Sequence, residues 1–229
     1  MEVIYEDNHL IAVNKAPGEI VQGDKTGDEC LADVLKLWLK KKYNKQGNVF
    51  LGVTHRLDRP VSGVVVFAKT SKALARINEL LRLHELKKTY WAIVSERPEQ
   101  DEGTLTHWIT RNEKQNKSYA TDKQKKSTSK KAVLDYRLIL RSRSFYLLEV
   151  DLKTGRHHQI RCQLAKMGCH IRGDLKYGAK RSLPDGGISL HARKVEFIHP
   201  VTKEKIVITA PVPKHDNLWK AMQESAAES

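Results

Sequence analysis

Apolar residues recur along this chain in two periods, one typical of strands and one typical of helices. Short runs of β-branched and aromatic residues, each closed by a turn signal, predict about nine strands in all. One of them belongs to a hairpin expected in the polar stretch 111–131. The other strands are expected at 3–5, 10–13, 64–68, 87–94, 133–140, 145–150, 190–197 and 206–208.

Apolar positions spaced three and four residues apart predict helices between these strands. One helix is expected at 29–43. A second follows Ser71, which is a good N-cap residue, and ends near His84. A third begins within 154–164. The end of the chain, 219–229, is expected to form a short helix and a frayed polar tail.

The composition is that of a globular and strongly basic protein. Of its 229 residues, 40% are hydrophobic and 30% are charged. No repeat or long linker divides them, so we expect one domain over residues 1–229. The net charge of +14 favours polyanionic partners, with nucleic acid first. A membrane surface is the weaker alternative, because no apolar run approaches about 20 residues and the acidic start at 1–7 is unlike a signal peptide.

Cysteine usage indicates a reducing compartment. Cys30, Cys162 and Cys169 are too few, and odd in number, for a disulfide framework, so we expect a cytoplasmic protein. Candidate metal ligands are His158 and Cys162, four residues apart, and the neighbouring Cys169 and His170. No set of four ligands has zinc-like spacing, so no metal is expected.

The segment 114–131 concentrates positive charge. It holds seven lysines and one acidic residue, Asp122. A basic hairpin with a mobile tip suits contacts to RNA phosphates, which supply affinity without sequence readout. A solubilising loop with no RNA contact is the alternative.

A single carboxylate stands out in the loop at 54–63. Asp58 lies between Arg56 and Arg59, just before the buried strand expected at 64–68. Two neighbouring cations favour the ionised carboxylate, and a rigid strand behind a loop is a good mount for a reactive group. The alternative is an ordinary surface turn that Asp58 caps.

The segment 154–164 gathers two arginines and two histidines after a strand. Ile160 and Leu164, four residues apart, indicate that a helix begins here. Cations at a helix N-terminus are unfavourable for the helix dipole, so an anion is expected from elsewhere in the fold.

Both segments resemble the signatures of the RluA-type RNA pseudouridine synthases. The string His-Arg-Leu-Asp at 55–58, followed by Ser-Gly at 62–63, is similar to the catalytic motif of that family. The string Thr-Gly-Arg-His-His-Gln-Ile-Arg at 154–161 is similar to its second signature. Shorter similar strings lie at 14–18, 88–90, 173–178 and 190–192, so the resemblance runs in order from Val3 to about Pro213. Two departures are Val61, where Thr is usual, and Gln163, where His is usual.

The resemblance implies a role for several residues. Asp58 would be the nucleophile, Arg161 would pair with it, and Tyr90 would contact the target base. Spacing alone favours a core tyrosine of a strand at this position, and the resemblance reverses that interpretation. Arg56 would fill the gap that a flipped base leaves. The family pattern also puts the following residues at the substrate or the RNA-facing rim: Arg156, His157, His158 and Leu190.

The resemblance also implies a fold and a reaction. The fold is α+β, a mixed, mostly antiparallel sheet with flanking helices and a central basic cleft. The reaction converts uridine to pseudouridine in rRNA or tRNA, without a cofactor, and relatives of this size are commonly monomers. The small N-terminal S4 domain of many relatives is not expected. The alternatives are a catalytically inactive RNA-binding module and, less well supported, a nuclease or phosphotransferase, which would need a metal cluster or a Gly-rich phosphate loop.

Overall fold

The computed structural model describes residues 1–23 and 27–227, and its strands and helices form two compact units. The first unit holds Met1–Leu86 and Ala192–Pro211. The second holds Lys87–His191 and Val212–Ser229. Each unit is therefore built from two separate stretches of the chain. The architecture is α+β with mostly antiparallel strands, as predicted.

The first unit is a sheet with two helices. The strands follow the spatial order β1-β2-β4-β10, with β3 on β4 and β11 on β10, and the pairs β1–β2, β2–β4, β3–β4 and β10–β11 are antiparallel. The strand β10 begins two residues before this unit does. The strand bounds are β1 Glu2–Glu6, β2 Leu10–Lys15, β3 Gly52–Val53, β4 Ser62–Ala68, β10 Leu190–Ile198 and β11 Lys205–Thr209.

The helices of this unit lie where the apolar spacing predicts them. They are α1 (Leu31–Lys42) and α2 (Ser71–Arg82). The N-cap of α2 is Thr70, not Ser71, because the Thr70 hydroxyl accepts a hydrogen bond from the Ala73 N–H. That bond satisfies one of the free N–H groups at the helix start.

The strand β4 is the most buried element of the unit. All seven of its residues are buried, which explains its unbroken apolar run, since a strand covered on both faces needs no polar alternation. Gly63 in this strand has φ +115°, and an added Cβ would lie 2.6 Å from the Ala192 nitrogen. A glycine is therefore required where β4 passes the backbone of β10.

The second unit contains an antiparallel sheet in the order β5-β9-β8-β6-β7. The hairpin expected in 111–131 is the β6–β7 pair, but the predicted elements omitted most of β6, as they omitted the two-residue β3. The lysines at 123–126 lie in the following connection to β8. The strand bounds are β5 Lys87–Val94, β6 Glu102–Asn112, β7 Lys117–Thr121, β8 Lys130–Arg141 and β9 Tyr146–Leu152.

The last helix, α4 (Asn217–Ala227), is anchored to the second unit. Trp219 and Met222 are each 1% exposed and pack in one cluster with Ile93, Leu147 and Val212. The expected frayed tail is therefore an anchored helix through residue 227, and residues 228–229 lie outside the described part of the chain. The unit also contains α3 (Gln159–Lys166) and a short 3-10 helix, Leu175–Tyr177. Within residues 1–23 and 27–227 there is no helix long and apolar enough to cross a bilayer.

We expect Gly63→Ala to destabilise the protein more than Gly18→Ala does. Gly18 also has a positive φ, +88°, but its added Cβ would meet no atom within 4 Å. Positive φ alone costs an alanine about 1–2 kcal/mol, and overpacking against Ala192 adds about 1–3 kcal/mol. Urea unfolding of both variants measures the difference, and equal losses would show that β4 and β10 separate easily at Gly63.

Candidate active site

The loop that carries Asp58 is fixed to β4 by side chains at its start. The Thr54 hydroxyl donates to the Val66 carbonyl over 2.6 Å, and the Val66 N–H donates to His55 Nε2 over 3.1 Å. Past the acid, the Val61 N–H donates to the Asp58 carbonyl over 3.0 Å. Asp58 itself is half-buried. The loop therefore presents its carboxylate from a turn with defined hydrogen bonds.

A buried lysine fixes the other side of this loop. Lys15, at the end of β2, is 1% exposed. Its ammonium group donates to the carbonyls of Ala16, Arg59 and Val61 over 2.9, 2.9 and 2.7 Å. Two of these carbonyls belong to residues just after Asp58. The single cation thus joins the end of β2 to the loop that carries the acid.

Burial also changes the acidity of Lys15. It lowers the pKa of the Lys15 ammonium to about 8, against the opposing effect of the carboxylates of Glu19 and Asp58. Sequence reasoning missed the role of this residue. The available signal was a lysine at the end of an apolar strand, directly before a Pro-Gly turn.

The two arginines beside Asp58 lie in different surroundings. Arg56 is exposed. The Arg59 guanidinium forms an ion pair with Asp28 at the surface, and its carbonyl accepts hydrogen bonds from Lys15 and from the Gly18 N–H. Arg59 therefore ties the loop to Gly18 and to Asp28.

In the second unit, Arg161 forms a buried bidentate ion pair with Asp174. The Nε–Oδ2 and Nη2–Oδ1 distances are 2.7 and 2.8 Å, and the two side chains are 5% and 2% exposed. Such paired geometry is the condition under which a buried charge is tolerated. Asp174 is an anion of the kind expected near the start of α3, and sequence reasoning did not identify it. The proposed pairing of Arg161 with Asp58 stays a prediction.

The turn before α3 is held by one glutamine. The Gln159 Oε1 accepts hydrogen bonds from the Thr154 hydroxyl at 2.8 Å and the Arg156 N–H at 3.0 Å. Its amide nitrogen donates to the Val133 carbonyl over 3.1 Å. Arg156 is exposed and donates from Nε to the Lys131 carbonyl over 3.1 Å. Arg156 is therefore held at the surface beside the lysines of β8.

The two neighbouring histidines differ in burial. His157 is half-buried, and its Nδ1 is 2.8 Å from the Ser118 hydroxyl. His158 is only 7% exposed, with φ +52°, so the expectation that both histidines lie at the rim is wrong for His158. Burial, followed by the charge of Arg161, lowers the pKa of His158 to about 2, so its imidazole is neutral.

Tyr90 and Leu190 occupy buried positions in strands. Tyr90 pairs with Val150 across β5 and β9, and Leu190 begins β10. Gln163 is fully buried, and its amide nitrogen donates to the Leu105 carbonyl over 3.2 Å, so this position has a packing role in the chain. Contact of Tyr90 or Leu190 with a base stays a prediction.

The candidate residues are thus distributed over both units. Asp58 and Arg56 lie in the first unit. Among residues 1–23 and 27–227, no group of three or more His, Cys, Asp or Glu side chains is arranged to hold a metal ion. The candidates in the second unit are Tyr90, Arg156, His157, Arg161 and Leu190.

Known proteins resemble this chain over most of its length. The sequence profile described as RNA pseudouridylate synthase matches residues 9–166, which include the Asp58 loop and α3. The protein named uncharacterized RNA pseudouridine synthase YhcT of Bacillus subtilis is 32% identical over 93% of this chain and 69% of its own length. Ribosomal large subunit pseudouridine synthase D of Xanthomonas campestris is 33% identical over 100% of this chain and 71% of its own.

Solved structures have the same fold. Human RNA pseudouridylate synthase domain containing 4 superposes with a TM-score of 0.79 at 25% identity, over 93% of this chain and 89% of that one. Human RNA pseudouridylate synthase domain containing 1 gives a TM-score of 0.71 at 19% identity, over 100% and 95%. The predicted fold class is confirmed.

We expect the stabilising effect of Lys15 to depend on pH. The pKa of Lys15 is about 8 in the folded protein and 10.5 ordinarily. Between pH 8 and pH 10.5 the unfolded chain therefore binds more protons than the folded protein, so stability rises with pH. The unfolding free energy of wild type minus that of Lys15→Met should rise by about 2 kcal/mol from pH 7 to pH 9.5. Urea unfolding across this range measures it.

The matched control is Lys72→Met, which changes an exposed lysine of α2. Its stability curve should stay parallel to that of wild type. A constant difference between wild type and Lys15→Met would show that Lys15 titrates in its ordinary range.

Proposed function

This chain belongs to the RNA pseudouridylate synthase family, of the RluA type, and is an RNA pseudouridine synthase; on that premise we propose that Asp58 is its catalytic nucleophile. The observation that carries the proposal is the mounting of this carboxylate. Asp58 is half-buried on a loop that Lys15 and β4 hold from both sides. Preorganisation of this kind is what a reacting group needs.

The reaction requires one carboxylate and no external reagent. The N-glycosidic bond of the uridine breaks, the uracil rotates, and a C–C bond forms between C1′ and C5. The C5 proton is lost and N1 carries a proton in the product, so the change is an isomerisation without a redox step. Asp58 either attacks the sugar or removes the C2′ proton, and both routes use the ionised carboxylate.

The other candidate residues support this step in the proposal. Arg161 is proposed to pair with Asp58 and hold it in place, and Asp174 sets the orientation of the Arg161 guanidinium. Tyr90 offers a ring to the target base, and Leu190 packs beside it. Extrusion of the base from stacked RNA costs about a few kcal/mol, and exposed Arg56 is suited to fill the gap.

RNA binding is proposed to use the basic surface of the second unit. Arg156 is anchored beside β8, and His157 lies on the same turn. Exposed cations without base contacts supply affinity for RNA of any sequence. The lysines proposed to contact phosphates are Lys114, Lys117, Lys123, Lys125, Lys126, Lys130 and Lys131.

Ribosomal RNA is the first substrate candidate, and tRNA is the second. Support for rRNA comes from relatives that are named ribosomal large subunit pseudouridine synthase D. Pseudouridine mapping of rRNA and tRNA from cells with and without the gene identifies the target uridine.

The three free cysteines, all buried, support a cytoplasmic location, and we propose a monomer acting without a cofactor.

Asp58→Asn should abolish pseudouridine formation, because an amide cannot act as nucleophile or base. Loss of tritium from C5-labelled uridine in RNA measures turnover, and filter binding measures affinity. RNA affinity and the unfolding free energy should stay close to wild type. The control Asp33→Asn removes an exposed acid of α1 and should be fully active. Normal turnover by Asp58→Asn would refute the assignment.

Loss of two lysines from the β7–β8 connection should reduce the salt dependence of RNA binding. Each lost phosphate contact lowers the slope of log K against log salt by about 0.7–0.9, so Lys125→Ala/Lys126→Ala should lower it by about 1.5. The control Lys72→Ala/Lys220→Ala removes two exposed lysines from α2 and α4. If both pairs change the slope equally, the β7–β8 connection is an ordinary solvated loop.

A further inference from the structure

Arg161 is held on two sides within the second unit. The carboxylate of Asp174 binds its edge in bidentate geometry, and the ring of Tyr177 lies under the guanidinium, 5.0 Å from ring centroid to Cζ. The ion pair sets the direction of the guanidinium plane. The ring limits its tilt, and the cation–π contact is strong where water is excluded. The orientation of Arg161 therefore depends on where Tyr177 lies.

Tyr177 is itself held by its hydroxyl group. The Ser118 N–H donates to Tyr177 Oη over 2.8 Å, and His158 Nδ1 lies 2.9 Å from the same oxygen. Because the His158 imidazole is neutral, its Nδ1 can accept a hydrogen bond from the Tyr177 O–H. The hydroxyl then donates to His158 and accepts from the Ser118 N–H. A buried hydroxyl with two partners is fixed in position.

These partners connect Arg161 to the basic hairpin. Ser118 lies on β7, and its hydroxyl is 2.8 Å from His157 Nδ1. The ammonium of the preceding residue, Lys117, is 5.2 Å from the centroid of the Tyr177 ring. The ring therefore contacts two cations, Arg161 and Lys117. A tyrosine with only a packing role would not need the contact with Arg161 or the contact with Lys117.

We infer that Tyr177 is a positioning residue for Arg161, held by Ser118 and His158. The inference rests on the proposed role of Arg161 in the reaction. Tyr177 acts through the placement of the Arg161 guanidinium and not on a reacting atom. A misplacement of about 1 Å costs an enzyme about 100-fold in rate. The cost should appear in kcat, because Arg161 is proposed to act on the reacting acid and not on RNA affinity.

The test is Tyr177→Phe, which keeps the ring and removes the hydroxyl. We expect kcat to fall by about 10- to 100-fold while KM and the RNA dissociation constant change less than about twofold. Tyr177→Leu also removes the ring and should be slower still. The matched control is Tyr119→Phe, since Tyr119 is an exposed tyrosine of β7, the strand that carries Ser118, and its hydroxyl donates to Gln115 Oε1.

A second measurement separates positioning from packing. Hydrogen exchange of the Arg161 Nε proton, followed by 15N NMR, should be faster in Tyr177→Phe than in wild type. Loss of stability with normal kcat and unchanged exchange would assign Tyr177 to the core alone and overturn the inference. A wild-type protein that forms no pseudouridine would instead refute the proposed function.

If Tyr177→Phe does not fold, His158→Asn tests the same role of Tyr177. His158→Asn removes the imidazole from Tyr177, and asparagine tolerates the positive φ of this position. It should lower kcat in the same direction as Tyr177→Phe, with RNA affinity retained. Full activity in a folded His158→Asn protein would show that the hydrogen bond between His158 and the Tyr177 hydroxyl is not required.

Discussion

A cation buried in a protein must be matched by carboxylates or carbonyl dipoles, and this constraint shapes the Asp58 loop in the first unit and the surroundings of Arg161 in the second. Lys15 meets it with three carbonyl groups, two of which belong to the loop of Asp58. Arg161 meets it with the Asp174 carboxylate. In each case the partner groups lie on a loop. The need to balance a buried positive charge therefore also determines the course of that loop. The same interactions that make burial tolerable thus give the reactive segments a defined shape.

Most of the fold could be predicted because its elements carry strong local patterns. The buried strand β4 is continuously apolar from Val64 to Ala68, and α1 has a regular apolar stripe. The strand β6 was largely missed because its first half, Glu-Gly-Thr-Leu-Thr at 102–106, has Leu105 as its single large apolar residue, and all five residues are exposed or half-buried. The anchoring of the predicted C-terminal helix was not predicted, because the partners of Trp219, Ile93 and Leu147, are more than 70 residues away in sequence. A local pattern cannot report such contacts.

The candidate site shows the same division between local and distant information. The strings around Asp58 and Arg161 were recognisable because neighbouring residues carry them. Asp174 and Lys15 act through space, and their roles follow only from the positions of the Arg161 guanidinium and of the carbonyls after Asp58. His157 and His158 looked equivalent in sequence. They differ because the left-handed backbone at His158 turns its side chain into the interior, beside Tyr177.

The discontinuity of the first unit has a consequence for the synthesis of the protein. The strand β4 is flanked by β10, which arrives more than 120 residues later in the chain. Until then a largely apolar strand lacks one of its neighbours, and an uncovered strand edge is an aggregation hazard. A nascent chain therefore gains the second neighbour of the strand that follows the Asp58 loop only after residue 198 has been made. Contacts this distant in sequence also predict slow folding, so this segment is where we expect dependence on chaperones.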